Sequence, residues 1–267
     1  MNGELAQIIG LVAHGNYYLN GGAVDFSSNS TFQFVSEVKF VRYRSIIHKE
    51  GTEVARSVQD WFAFLRSIKV SRLWNIEFNW DQQDLAEHIA VSFSGGVPRA
   101  IQADLPRGYE LWYPRWSTGG NDKQKPWFIE YRGLQFSHSH AISVQNLELV
   151  KLKLEAAISK AQEFALRPGI DMGNFADCFT SALRMLGSTQ PVGAYHPDML
   201  PPEGYNLAAR QVLASATRAY VFGGMGSWND MGFSDPGVNQ KYEEITKELF
   251  EAVKIAILMT SNSFELG

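Results

Sequence analysis

The sequence predicts an α+β protein, with a mixed or antiparallel sheet in the N-terminal half packed against a largely helical C-terminal half. Three observations predict it. Up to about residue 142, runs of apolar residues at period two alternate with helical patterns. From residue 143 onward nearly every periodic segment has the 3.6-residue spacing of a helix. The junction carries no Gly/Ser- or Pro-rich linker, so 1–142 and 143–267 are expected to share one core.

In the N-terminal half, Leu5, Ile8, Ile9 and Val12 have the i, i+3, i+4, i+7 spacing of an amphipathic helix over 3–13, ended by His14-Gly15. Phe32, Phe34, Val38 and Phe40 share one parity and predict a strand over 31–43. From Thr52 the pattern turns helical, with Val54, Val58, Trp61, Phe62 and Leu65 on one side. The run from Leu73 to Trp80 alternates as a strand, and Asp81 caps a short helix over 82–90. Short strands are predicted over 100–103, 110–113 and 127–131, the last two joined by a hairpin-like loop over 117–126.

In the C-terminal half, Leu147, Val150, Leu154, Ala157, Ile158, Ala161 and Phe164 trace one helix face, stopped by Pro168-Gly169. Further helices are predicted over 174–186, 205–220 and 238–261, with a proline-bearing loop over 193–204 that holds His196. Asp235-Pro236 opens the last helix as an N-cap with proline at the first helical position.

The glycine-rich connection before that helix, Phe222-Gly-Gly-Met-Gly-Ser-Trp-Asn-Asp230, admits two readings. It is either a surface loop whose Trp228, Asn229 and Asp230 contact a ligand, or a tight corner anchored by a buried Trp228 with Asx-type turns at Asn229 and Asp230. The segment over about 207–262 resembles the C-terminal end of a group of uncharacterised bacterial proteins. That resemblance implies a bacterial source and no particular activity.

Composition narrows the function. The chain has 267 residues, 45% hydrophobic and 19% charged, which is globular and long enough to bury a core without staples. A net charge of −4 and no Lys/Arg block argue against nucleic acid, whose phosphates demand a basic surface. The lone Cys178 excludes an intrachain disulfide and a cysteine-rich metal site, and its helical spacing marks it as a packing residue. No secretory signal and no membrane-length apolar run occur, so a soluble cytoplasmic protein is expected.

Candidate chemistry is sparse. His138 and His140 fall on one face of an extended segment, a spacing compatible with two metal ligands, but no further ligand is signalled and no cofactor is expected. Trp112 and Trp116, with Tyr109, Tyr113 and Arg115, are candidates to line a groove for a planar or sugar ligand. Gly-x-Ser-x-Gly, phosphate-loop and Gly-x-Gly-x-x-Gly signatures are absent. The sequence therefore favours a non-catalytic inhibitor- or immunity-type protein that binds another bacterial protein, through Trp228, Asn229, Asp230, Trp112 and Trp116. The alternative is a hydrolase with a site between the halves, using His196 and Asp230 with His138 and His140. A pocket holding convergent titratable groups would reverse that order.

Overall fold

Six strands join in the order β2-β1-β6-β5-β4-β3, and the computed structural model describes residues 1, 3–44, 50–77, 99–119, 122–137, 142–170, 174–223 and 225–265. The strands are β1 (Val35–Tyr43), β2 (Thr52–Ala55), β3 (Arg72–Glu77), β4 (Arg99–Asp104), β5 (Tyr109–Thr118) and β6 (Trp127–Phe136). β3 to β6 form an antiparallel meander, β1 lies parallel to β6, and β2 closes the far edge antiparallel to β1. The sheet is therefore mixed. The described α-helices are α1 (Gly3–Leu19), α2 (Val58–Ser67), α3 (Leu147–Ala165), α4 (Phe175–Leu186), α5 (Leu207–Arg218) and α6 (Pro236–Ser261). The four C-terminal helices pack against one another, as the α+β reading requires.

α1 sits between the two layers, and every residue from Leu5 to Ala13 is buried. Leu5, Ala6 and Ile9 belong to the helical core, whereas Ile8, Leu11 and Val12 belong to the core under the sheet. A helix that is apolar on all sides is one that has neighbours on all sides. It also continues past its expected stop at His14-Gly15. Gly15 does not end the helix, because its role is close approach: a Cβ there would lie 2.4 Å from Leu73 Cδ1 and 3.0 Å from Phe62 Cε1.

Two other boundaries move for local reasons. The strand expected from residue 31 begins at Val35, because Asn29 caps a 3-10 turn, η1 (Ser30–Phe32), with its Oδ1 accepting from Thr31 N–H at 3.1 Å. The helix expected from Thr52 begins at Val58. Ser57 caps it by accepting from Asp60 N–H at 3.1 Å, and 52–55 form the edge strand β2. β5 runs on to Thr118, into the expected loop, and β6 to Phe136, past the ends expected at 113 and 131. The predicted helix over 82–90 and the strand residues 78–80 lie outside the described residues.

The free edge of β3 is covered by side-chain amides. Asn16 of α1 accepts from Leu73 N–H at 2.8 Å and donates to its carbonyl at 2.9 Å. Asn262, capping α6, does the same to Asn75 at 2.7 and 2.8 Å. Each amide stands in for a neighbouring strand, which satisfies the backbone and closes the edge to other chains.

Candidate functional site

The glycine-rich corner is a structural anchor. Trp228 is fully buried against Phe175, Phe179, Phe164 and Tyr242, and its indole N–H donates to Thr246 Oγ1 at 2.7 Å. Its carbonyl accepts from Tyr242 Oη at 2.5 Å. The Asp230 carboxylate accepts from Gly226 N–H and Ser227 N–H at 2.5 and 3.2 Å, folding the loop on itself. Asn229 is half-buried beside it. As a ligand-contacting surface, Trp228 is ruled out by its burial; Met225 and Asp230 are the exposed side chains described in this loop.

Strand parity also divides the aromatic set of β5. Trp112 points into the core under the sheet, where it is fully buried against Phe40, Trp61 and Phe64 and donates to Glu110 Oε2 at 3.1 Å. It lies across Gly133 of β6, where a Cβ would meet the indole at 2.8 Å. Trp112 therefore offers no surface to a ligand. Tyr113 and Arg115 have the opposite parity and face away from it. Trp116, at the end of the strand, is half-buried and does reach a cavity. His138 and His140 lie outside the described residues, and among the described residues no cluster of three or more metal-type ligands occurs. Cys178 is half-buried on α4.

The cavity that Trp116 reaches has a volume of ≈ 690 Å³ and opens between the layers. The first turns of α1 give Glu4 and Gln7, η1 and the approach to β1 give Thr31, Gln33 and Phe34, the β5–β6 ends give Trp116 and Trp127, and the α4–α5 loop gives Tyr195 and His196. Glu4 is the carboxyl group lining this cavity. Burial pushes its carboxyl up to about 7, against the partial opposition of the Arg99 charge, the Arg99 backbone N–H and the Trp116 side chain. The Trp116 indole N–H faces Glu4 without closing a hydrogen bond of ordinary geometry. Gln7 holds the wall in place by donating to the Thr31 carbonyl at 3.0 Å and accepting from Tyr131 Oη at 3.2 Å.

His196 is the base. Burial lowers its pKa below the ordinary histidine value, with Asp198 opposing, so the ring is neutral at pH 7. The Ser30 hydroxyl stands between His196 Nδ1, at 3.0 Å, and Asp198 Oδ1, to which it donates. That hydroxyl has one proton and gives it to Asp198, so it can only accept from His196. The network therefore assigns the imidazole proton to Nδ1 and leaves Nε2 with its lone pair. In a nucleophilic serine triad the imidazole stands between serine and carboxylate. Here the serine stands in the middle, so Ser30 orients rather than attacks.

Asp198 fastens this loop to the sheet half. Its Oδ2 accepts from Ser30 N–H at 2.7 Å, and its carbonyl accepts from Asn29 Nδ2 and His14 Nε2, both at 2.9 Å. Tyr195, next to His196, has φ 67° and lies under a 2.8 Å bond from His196 N–H to the Ala194 carbonyl. This is the γ-turn with positive φ, the rarer and strained form.

Of the residues singled out in the sequence, the structure brings His196 and Trp116 to one cavity and leaves Asp230 in a separate loop. Glu4 and Ser30 were missed. Glu4 reads as an ordinary acid in a helix's first turn, and its one signal was its place at the head of an otherwise apolar helix. The chain matches no family model, no curated protein and no solved structure.

Proposed function

We propose that the chain is a hydrolase working in the cleft between its sheet and its helical half, with Glu4 as general acid and His196 Nε2 as general base. The observation that carries this reading is one cavity lined by a carboxyl that titrates at about 7 and an imidazole held neutral. Acid and base with opposite protonation needs are both in working form near neutrality. Water gives a proton to His196 Nε2 as its oxygen bonds to the electrophilic carbon. The bond to the leaving group breaks, and Glu4 supplies the leaving atom's proton. Exchange with solvent then restores both groups.

The test is a panel of nitrophenyl esters and nitrophenyl glycosides assayed between pH 6 and 7.5. Turnover of one class is expected, falling about 100-fold or more in Glu4→Gln and in His196→Gln with folding retained. A folded wild type that turns over neither class, or variants as active as the wild type, would overturn it.

A second reading keeps one observation in its favour: Met225 is fully exposed at the glycine-rich loop, and methionine is enriched at protein interfaces. On it the chain is an inhibitor- or immunity-type partner of another bacterial protein. Its signature is a purified complex with that protein, broken by Met225→Glu, while the chromogenic panel stays blank.

A further inference from the structure

We infer that the cleft takes an uncharged ligand built on a ring with one apolar face, a pyranose or a planar heterocycle. The inference deepens the hydrolase reading by naming what the site holds, and it stands on shape and charge.

Aromatic exposure is concentrated here. Among the described residues the exposed aromatic side chains are Phe34, Trp127 and Tyr195, at 57%, 37% and 68%, and all three line this one cavity. Trp127 meets Trp116 edge to face, with centroids 5.6 Å apart and planes at 81°, which makes a fixed corner of two indoles. Tyr195 is kept on the cleft against its backbone preference by the γ-turn, which the His196–Ser30–Asp198 bonds on the following residues hold shut. Strain of that kind persists only where surrounding contacts over-determine it, and it concentrates at ligand sites. Rings on a rim offer flat apolar faces at low entropic cost.

Charge selects among ring-bearing ligands. Among the described residues no Lys or Arg lines the cavity, so a phosphate or carboxylate would leave water without a counter-charge. Arg99, whose charge reaches Glu4, is buried and paired to Glu77 at 3.2 Å. A cationic ligand would have only Glu4, whose surroundings favour its neutral form. Polar edges are served instead by neutral groups: the exposed Gln33 carboxamide, the Glu4 carboxyl and His196 Nε2. A volume of ≈ 690 Å³ fits a ligand of one to three rings.

Tryptophan fluorescence and calorimetric titration of the full chain test the inference in two arms, neutral trisaccharides (maltotriose, cellotriose, chitotriose) and uncharged nucleosides (adenosine, uridine). Glucose 6-phosphate and AMP serve as charged counterparts. Saturable binding in one neutral arm is expected, about tenfold or more tighter than its charged counterpart. Trp127→Ala and Tyr195→Ala should each weaken it about tenfold at unchanged melting temperature. Equal or tighter binding of the charged compound, no binding in either arm at millimolar ligand, or indifference to both variants would overturn it. Turnover plays no part in these readings. Binding with a blank chromogenic panel therefore removes the hydrolase alone, and turnover by a chain that prefers the charged compound removes the ligand class alone.

Discussion

The carboxamide of Asn262 pairs with the backbone of Asn75 as an adjoining strand would, accepting from its N–H at 2.7 Å and donating to its carbonyl at 2.8 Å. Asn16 repeats the arrangement two residues earlier, on Leu73. One amide comes from the first helix and the other from the end of the last, so the edge of β3 ties the two halves together. Truncating either leaves a buried N–H and C=O without partners, and Asn262→Ala should cost about 2 to 4 kcal/mol in urea denaturation. The double change with Asn16→Ala should cost less than the sum, because both act on one strand. Losses under 0.5 kcal/mol would mean that water replaces the amides.

Trp228 carries the helical core at the glycine-rich corner. Three phenylalanines and Tyr242 pack around its ring, and Thr246 takes its N–H. Trp228→Ala should destabilise by about 3 to 5 kcal/mol. Trp228→Phe should cost less, since it keeps the ring contacts and loses the hydrogen bond. A melting temperature unmoved by the alanine change would refute the anchoring role.

Much of the fold was legible because its signals are local. The helix from Pro236 announces itself by Asp235-Pro236 and by the stripe through Tyr242, Ile245 and Leu249, all buried as the spacing implies. The boundary errors have two causes. Gly15 is punctuation by type, yet its role is set by Leu73 and Phe62 far along the chain, whereas Asn29 and Ser57 move their boundaries by local caps on Thr31 and Asp60. The cleft is less legible still. Ser30 and Asp198 are 168 residues apart, and Glu4 becomes an acid that holds its proton only once the fold buries it, against the opposing pull of Arg99 and Trp116. No spacing rule encodes that meeting.

Glu4 makes a stability prediction with a sign. Its folded pKa of about 7 lies above the ordinary carboxylate value, so the folded chain binds the extra proton between those two limits. Its contribution to stability is fully present below the ordinary value and is lost as pH rises through about 7. The loss is at most about 3 kcal/mol, reduced by cleft water. Glu4→Gln should therefore melt several degrees higher than wild type at pH 8 and close to it at pH 4.5. A difference that does not change with pH would contradict the burial of this carboxyl. A variant that is more stable and less active would identify a site kept at a cost in stability.

Ser30 makes the last prediction, since it touches no ligand in the proposed scheme and acts through His196. Its hydroxyl accepts from Nδ1 while donating to Asp198, so the imidazole has one tautomer and Nε2 faces its task unprotonated. In wild type the ring ¹⁵N shifts of His196 should report Nδ1–H alone above about pH 7, whatever the substrate proves to be. Ser30→Ala removes the acceptor and should give a mixture of tautomers, with kcat down about tenfold and KM little changed. Ser30→Thr keeps a hydroxyl and should restore both the shifts and the rate. If the alanine variant keeps the single Nδ1–H tautomer, something else orients the ring and Ser30 merely fastens the loop. A proton found on Nε2 in wild type would remove the base from the mechanism altogether.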